Sequence, residues 1–313
     1  MGKNINKVTG ASLLIALGII YGDIGTSPLY VFNAIINGKT IDEDLIIGSL
    51  SCIIWTITLQ TTVKYVILVL RADNRGEGGS FALYALVRRQ RKWLVFPAMV
   101  GGAALLADGI ITPPMTITAA VEGLEKIPQL GNIDSYIVYI VLGILALFFF
   151  TQQFGTSAIG RLFGPIMLIW FTMLAVLGGW HLTDDLSIIR AFSPTYAIQF
   201  LAQYPDAIWL LGAIFLCTTR AEALYSDLGH CGKQNIRISW IFVKTCLLLN
   251  YLGQGASLLK YHNGFTVTEN TQAVAATSIN AFYDLMPQWF VIIGVIIATA
   301  AAIIASQAMV SGT

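Results

Sequence analysis

Long apolar runs separated by short polar stretches set the pattern of this chain. They cover about Ala11–Ile36, Leu45–Leu70, Leu94–Val121, Tyr136–Phe150, Phe163–Trp180, Ala207–Leu228, Ile238–Leu259 and Trp289–Val310. A membrane-spanning helix needs about 20 mainly apolar residues. The pattern therefore predicts an all-α membrane protein with about eight transmembrane helices. Two runs are interrupted by polar or helix-breaking residues: the first at Gly22–Pro28, the sixth around Thr218–Asp227. Lys3 and Lys7 precede the first run, but no small-residue cleavage site follows it. A removable signal peptide is not indicated.

Composition agrees with the pattern. Hydrophobic residues make up 56% of the 313 and charged residues 11%, where a soluble domain carries about 25% charged. An ordinary cytosolic enzyme, a disordered protein and a nucleic-acid binder are excluded on that ground. The four cysteines form no C-x-x-C pair; Cys52, Cys217 and Cys246 lie in apolar runs and read as small core residues. His181, His230 and His262 are scattered, with no nucleophile-triad arrangement, so the chain is not expected to be an enzyme.

The cationic residues orient the chain. With the N-terminus cytoplasmic, Lys3, Lys7, Arg71, Arg75, Arg88, Arg89, Arg91, Lys92, Arg161, Lys233 and Arg237 fall inside. Only Lys39, Lys126, Arg190 and Lys260 fall outside. Lys64 and Lys244 lie near the inner ends of their passes and are expected to snorkel to the interface. The basic stretch Phe81–Trp93 reads either as an amphipathic helix facing anionic headgroups of the lipid bilayer or as a plain positive-inside loop. Arg75-Gly76-Glu77-Gly78-Gly79 lacks the flanking residues of a phosphate loop.

Three carboxylates stand where the bilayer would be: Asp23, Asp108 and Glu222. Each costs about 2.5–3.5 kcal/mol at a helix centre on insertion scales. Such residues normally face a cavity or a partner and serve function. Asp23 sits among Gly22, Gly25 and Pro28, which cannot sustain a regular helix. Unwound backbone is tolerated at that depth only where it is buried or lines a cavity. The freed carbonyls and the Asp23 carboxylate are expected to form a nest of oxygens for a bare cation, with Tyr21 and Tyr30 adding hydroxyls or closing the pocket. Asp108, Thr112 and Thr116 are spaced i, i+4, i+8 and share a helical face. Pro113 and Pro114 are expected to free the carbonyls of Gly109 and Ile110. Glu222 lies in the polar interruption of the sixth pass, two residues from Arg220, a candidate ion-pair partner.

A broken first helix and a broken sixth helix, five passes apart, fit an inverted repeat of five helices whose breaks meet at the midplane. Carboxylate, hydroxyl and carbonyl oxygens suit a hard cation. No Thr-Val-Gly-Tyr-Gly filter is present, which argues against a potassium channel.

These residues resemble the KUP/HAK/KT family of potassium uptake transporters, within the amino acid–polyamine–organocation superfamily. The resemblance covers nearly the whole chain. It is carried by Gly22-Asp23-Ile24-Gly25-Thr26-Ser27-Pro28-Leu29-Tyr30, by Arg75-Gly76-Glu77-Gly78-Gly79 and by Ala107-Asp108-Gly109-Ile110-Ile111-Thr112-Pro113. Ala221-Glu222-Ala223-Leu224-Tyr225, followed by Asp227 and Gly229-His230, completes it. It implies K+ uptake at the plasma membrane coupled to H+ symport, with alternating access in a LeuT-like five-plus-five core. It also implies a K+ site at Asp23, Tyr30, Asp108, Thr112, Thr116, Thr219 and Glu222, with Tyr30 and Thr219 resting mainly on the resemblance. Asp23 is the proton-coupling candidate. No cofactor is implied beyond the transported K+ and H+. Arg220 departs from the small residue frequent in the family.

The family's pattern continues past Ser306–Thr313 through further helices and a cytoplasmic C-terminal domain. The expectation is thus a truncated chain: a first five-helix repeat over residues 1–181, with a cytoplasmic basic loop at 71–93, and an incomplete second repeat over 182–313. A homo-oligomer would form through the missing C-terminal region. The alternatives are an amino-acid or polyamine carrier of the same fold, and an inactive fragment with a structural role.

Overall fold

The computed structural model describes residues 8–72, 77–87, 92–130, 133–152, 160–267 and 279–312. Its elements are helices: α1 (Gly10–Ile20), α2 (Gly22–Thr26), α3 (Val31–Ile36), α4 (Glu43–Thr56), α5 (Ser80–Val87), α6 (Val95–Val121), α7 (Asp134–Gln152) and α8 (Gly160–His181). There follow α9 (Pro194–Gln203), α10 (Ala207–Phe215), α11 (Ala223–Ser226), α12 (Leu228–Cys231), α13 (Lys233–His262) and α14 (Gln288–Gly312). An isolated antiparallel bridge pairs Thr40 with Thr266.

Among the described residues, six helical stretches are long and apolar enough to cross a membrane: Glu43–Arg71, Val95–Lys126, Leu162–His181, Ala207–Ser226, Lys233–His262 and Gln288–Ala308. The first pass is bent by 74° between Gly10–Ile20 and Gly22–Leu29, and is a seventh if its two arms are one span. The fourth expected pass falls short of the expectation. Its apolar part is only Ser135–Phe150, and the whole 19-residue helix α7 extends about 28 Å at 1.5 Å per residue. That barely matches a hydrocarbon core of about 30 Å.

Glycines bring the helices together. A Cβ on Gly18 would meet Gly164 N at 2.7 Å, and one on Gly164 would strike the Leu14 carbonyl, so α1 and α8 touch backbone to backbone. Gly178 and Gly253 do the same for α8 and α13. Small residues permit this close approach where lipid offers no hydrophobic drive for helix association. Large aromatics fill the space between, Trp170, Trp240, Tyr21, Tyr251 and Tyr283 being fully buried.

Some features are not legible in the apolar pattern. The second pass widens into a π-helix over Ile57–Leu68, a form frequent at functional sites. There α13 donates into it, Lys244 Nζ to Thr58 Oγ1 at 3.1 Å and Trp240 Nε1 to Thr62 Oγ1 at 3.0 Å. Lys244 therefore bonds a neighbouring helix. Lys64 is exposed and lies over the Tyr65 ring. Of the stretch Phe81–Trp93, the part up to Val87 lies in α5 and a 3-10 turn covers Lys92–Leu94, while Lys3, Lys7, Arg75, Arg88, Arg89 and Arg91 lie outside the described residues. Gly78 and Gly79 pack against the sixth pass: a Cβ on Gly78 would strike the Tyr225 carbonyl, and Tyr225 Oη donates to Ala72 O at 2.5 Å. All four cysteines are buried free thiols.

Candidate functional site

The first break is built from Tyr21 to Tyr30. Tyr21 leaves helical geometry at the end of α1, and α2, a 3-10 turn over Ser27–Leu29 and α3 follow in a new direction. Every residue from Gly22 to Tyr30 is buried. Buried backbone carbonyls need donors, and here side chains supply them. Trp170 Nε1 donates to Gly25 O at 2.9 Å, and Gln254 Nε2 to Pro28 O at 3.0 Å. Thr26 Oγ1 donates to Asp23 O, Ser27 Oγ to Ile24 O and Asn33 Nδ2 to Leu29 O. The expected nest of free carbonyls is thus already bonded to protein. Tyr21 is committed too, its Oη donating to Ile236 O at 2.8 Å and lying 2.9 Å from Ser239 Oγ.

What remains unsatisfied is the carboxylate. Asp23 is 5% exposed, and neither of its oxygens has a hydrogen-bond partner. The Tyr30 hydroxyl is likewise buried without one, beside Asp23 and Thr219. An unmet buried polar group costs roughly 1–3 kcal/mol, more when charged. Two such groups side by side mark a place that a ligand would satisfy.

The third pass behaves differently. Pro113 and Pro114 are accommodated inside a continuous α6. Thr112 Oγ1 donates to Asp108 Oδ1 at 2.6 Å, and Thr116 Oγ1 to Thr112 O at 3.0 Å. Thr112 and Thr116 are buried, while Asp108 is half-buried. The three oxygens do stack on one face, as the i, i+4, i+8 spacing predicts, but they are bonded along their own helix.

In the sixth pass, α10 tightens into a 3-10 turn at Leu216–Thr218 and then stops. Thr219 is extended (φ −51°, ψ 129°), and Arg220 takes a left-handed φ of 54°. Thr219 Oγ1 donates back to Leu216 O at 2.6 Å. Glu222, half-buried, precedes α11. Arg220 Nη1 is buried without a hydrogen-bond partner. Its charge reaches Asp23, Glu222 and Asp227, but among the described residues it makes no ion pair within 4 Å.

The charges of Asp108, Arg220 and Glu222 all act on Asp23, so the structure brings the three acids into one electrostatic neighbourhood. It does not bring them into one coordination shell. Among the described residues, no three His, Cys, Asp or Glu side chains are near enough to hold a single ion. Sequence reasoning missed two further polar groups. Gln254 Oε1, beside the first break, and Thr61 Oγ1, in the π-helix, are buried without partners. Neither sits in a motif of charge or broken helix that would have drawn attention.

Two cavities open among the described residues. One, of about 570 Å³, is lined by Tyr30, Asn33 and Asn37 on one side and by Met115, Thr118 and Glu122 on the other. The larger, about 1400 Å³, lies away from the acids between the ends of α8, α13 and α14. It is mainly apolar, and its carboxylate is taken: Asp284 pairs with Lys126 at 2.5 Å.

The chain matches the family described as "K+ potassium transporter integral membrane domain" over residues 11–313. The chain belongs to this family. Similar proteins include one named "Probable potassium transport system protein Kup" from Cytophaga hutchinsonii, 57% identical over 98% of this chain and 45% of its own length. A protein of the same name from Flavobacterium johnsoniae is 54% identical over 99% of this chain and 47% of its own. Another, from Enterococcus faecalis, is 51% identical over 100% and 47%. The chain spans about half the length of the curated relatives it matches. No solved structure matches it. Family membership makes it an integral membrane protein of a transporter family rather than an enzyme.

Proposed function

We propose that this chain is the ion-binding part of a transporter that takes up K+ across the plasma membrane, with its N-terminus cytoplasmic and H+ moving in symport. The observation that carries the reading is Asp23, a buried carboxylate with no protein donor, beside the unpartnered hydroxyl of Tyr30 at a break in the first pass. Its support is the family and the relatives named as potassium transport proteins. In this reading Asp23 and Tyr30 form the primary K+ position. Asp108, Thr112, Thr116, Thr219 and Glu222 complete the shell as the sixth-pass break closes on the first. The separation of the three acids fits an open arrangement of an alternating-access cycle.

The bent first pass and interrupted sixth pass support a LeuT-like five-plus-five arrangement, residues 1–181 forming the first repeat and 182–313 opening the second. Asp23 is also proposed as the proton-coupling residue, because burial and the neighbouring charges both act on its protonation. Rubidium-86 uptake into proteoliposomes bearing a complete transporter that contains this segment tests the function. Uptake inhibited by K+ and unaffected by spermidine and amino acids is expected. Inhibition by spermidine or an amino acid would replace this reading with an organic-cation or amino-acid carrier.

A further inference from the structure

The acids so far discussed lie in the breaks or beside them, but a fourth, Glu122, stands apart. It closes α6 at the start of a 3-10 turn over Glu122–Lys126. Asp108 lies 14 positions earlier, about 21 Å away along the helix at 1.5 Å per residue. Glu122 therefore cannot share an ion with the Asp108 position.

The 570 Å³ cavity explains what Glu122 faces. Asn33 lies on α3 and Asn37 caps its C-terminal end, with Tyr30 at its N-terminal end; facing them, Thr118 lies on α6 and Glu122 caps its C-terminal end. Glu122 is the only charged residue lining that cavity among the described residues. The natural neutralising partner is Lys126, four residues on, yet Lys126 is held by Asp284 at 2.5 Å. No ion pair reaches Glu122 among the described residues. Nearby, Tyr283 Oη spends its proton on Ala120 O at 2.7 Å, so it gives the carboxylate no donor. At the floor sits Tyr30, 7% exposed, its hydroxyl unpartnered and beside Asp23. The cavity thus holds a lone carboxylate, Glu122, and is bordered by Tyr30, whose buried hydroxyl lies beside Asp23.

We propose that Glu122, with Thr118 and Asn37, forms a separate recruiting site for a partly hydrated monovalent cation at the outer mouth, from which K+ passes to Tyr30 and Asp23. The proposal rests on the transport reading above, which places this end of α6 outside. A single carboxylate with neutral oxygens suits such a role. It concentrates cations by charge, yet a half-hydrated ion held by few ligands leaves easily, as conduction through successive sites requires. The volume also leaves room for water around the ion.

The test is the initial rate of rubidium-86 uptake against external K+ in the complete transporter, for wild type, Glu122→Gln and Glu122→Asp. Loss of binding on the way in, without change in the transport step, raises KM and spares Vmax. Glu122→Gln is expected to raise KM about three- to tenfold, and Glu122→Asp to restore most of it. The difference should shrink when choline chloride screens the mouth. Asn37→Asp, which adds a second carboxylate to the same cavity, is expected to lower KM and guards against a Gln variant that fails to fold. An unchanged KM in Glu122→Gln, a fall in Vmax alone, or a raised KM in Asn37→Asp would overturn the site. Failure of the transport reading would be seen separately, as wild-type uptake that K+ does not inhibit.

Discussion

The first and sixth passes are both broken, but the two breaks are held in opposite ways. From Gly22 to Tyr30 everything is buried, and five backbone carbonyls, those of Asp23, Ile24, Gly25, Pro28 and Leu29, accept from side chains of neighbouring helices or of the segment itself. The break is clamped by α8 through Trp170, by α13 through Gln254, and by α14, whose Ala305 lies against Gly22. From Thr219 to Glu222 only Ala221 is buried, and the backbone turns through a left-handed arginine and is fastened mainly to itself. A clamped break presents a fixed carboxylate; a self-fastened, strained one is the part that can rearrange. The contrast teaches that the two halves of a broken-helix site need not be equally rigid, and that Asp23 belongs to the fixed half.

The harshest test of the clamp is Gly22→Val. Even a Cβ there would come within 2.7 Å of Ala305 Cα. Overpacking against a backbone costs about 1–3 kcal/mol or more, so the folded yield in detergent and uptake should both collapse. Tolerance of valine would show the first break to be as loose as the sixth. Next in size is Trp170→Phe, which keeps the ring but removes the donor to Gly25 O. A buried carbonyl left unmet costs about 1–3 kcal/mol, and the thermal unfolding midpoint should fall accordingly.

At the sixth break the sign should reverse. Arg220→Gly relieves a left-handed non-glycine residue, at about 1 kcal/mol, and removes a buried cationic nitrogen without a partner. The unfolding midpoint should rise or hold, where any change at Gly22 lowers it. A clear loss of stability would mean that Arg220 is a structural tie rather than a strained element.

The smallest effect lies far from both breaks and serves as their control. Asp184, between the fifth and sixth passes, bonds His181 Nδ1 at 2.6 Å and Lys260 Nζ at 2.8 Å. Burial alone would raise its carboxyl, but the bonds from Lys260 and His181 win and hold it below the usual carboxylate value. A depressed folded value means that the stability it contributes is complete above the ordinary aspartate pKa of about 4. That contribution is lost as pH falls through the lowered value. Asp184→Asn should flatten the acid limb of the pH–stability curve slightly and leave uptake kinetics alone.

Much of this was legible in the chain. The Gly22–Pro28 break and the buried Asp23 follow from residue chemistry alone, since glycine and proline cannot carry a regular helix and a carboxylate at that depth demands a reason. The i, i+4, i+8 stack of Asp108, Thr112 and Thr116 is a matter of helical period. What stayed hidden depends on neighbours distant in sequence. Tyr21 looked like a site hydroxyl until Ile236 and Ser239, more than two hundred residues on, were seen to claim it. The carbonyls of the first break looked free because Trp170 and Gln254 are not local. Glu122 carries no motif in the sequence, and its lack of an ion pair among the described residues emerges only where Lys126 pairs with Asp284. The short fourth pass shows the limit of apolar run length as a guide when a run barely matches the bilayer.

The central claim is that Asp23 is the fixed carboxylate that takes the cation. Thermal unfolding of the purified complete transporter, in K+ against choline at equal ionic strength, tests it directly. A ligand at 100 times its dissociation constant stabilises by about 2.7 kcal/mol. Wild type should therefore unfold several degrees higher in K+, and Asp23→Asn should show the same midpoint in both salts. A K+-dependent rise that survives in Asp23→Asn would place the cation elsewhere and contradict the account.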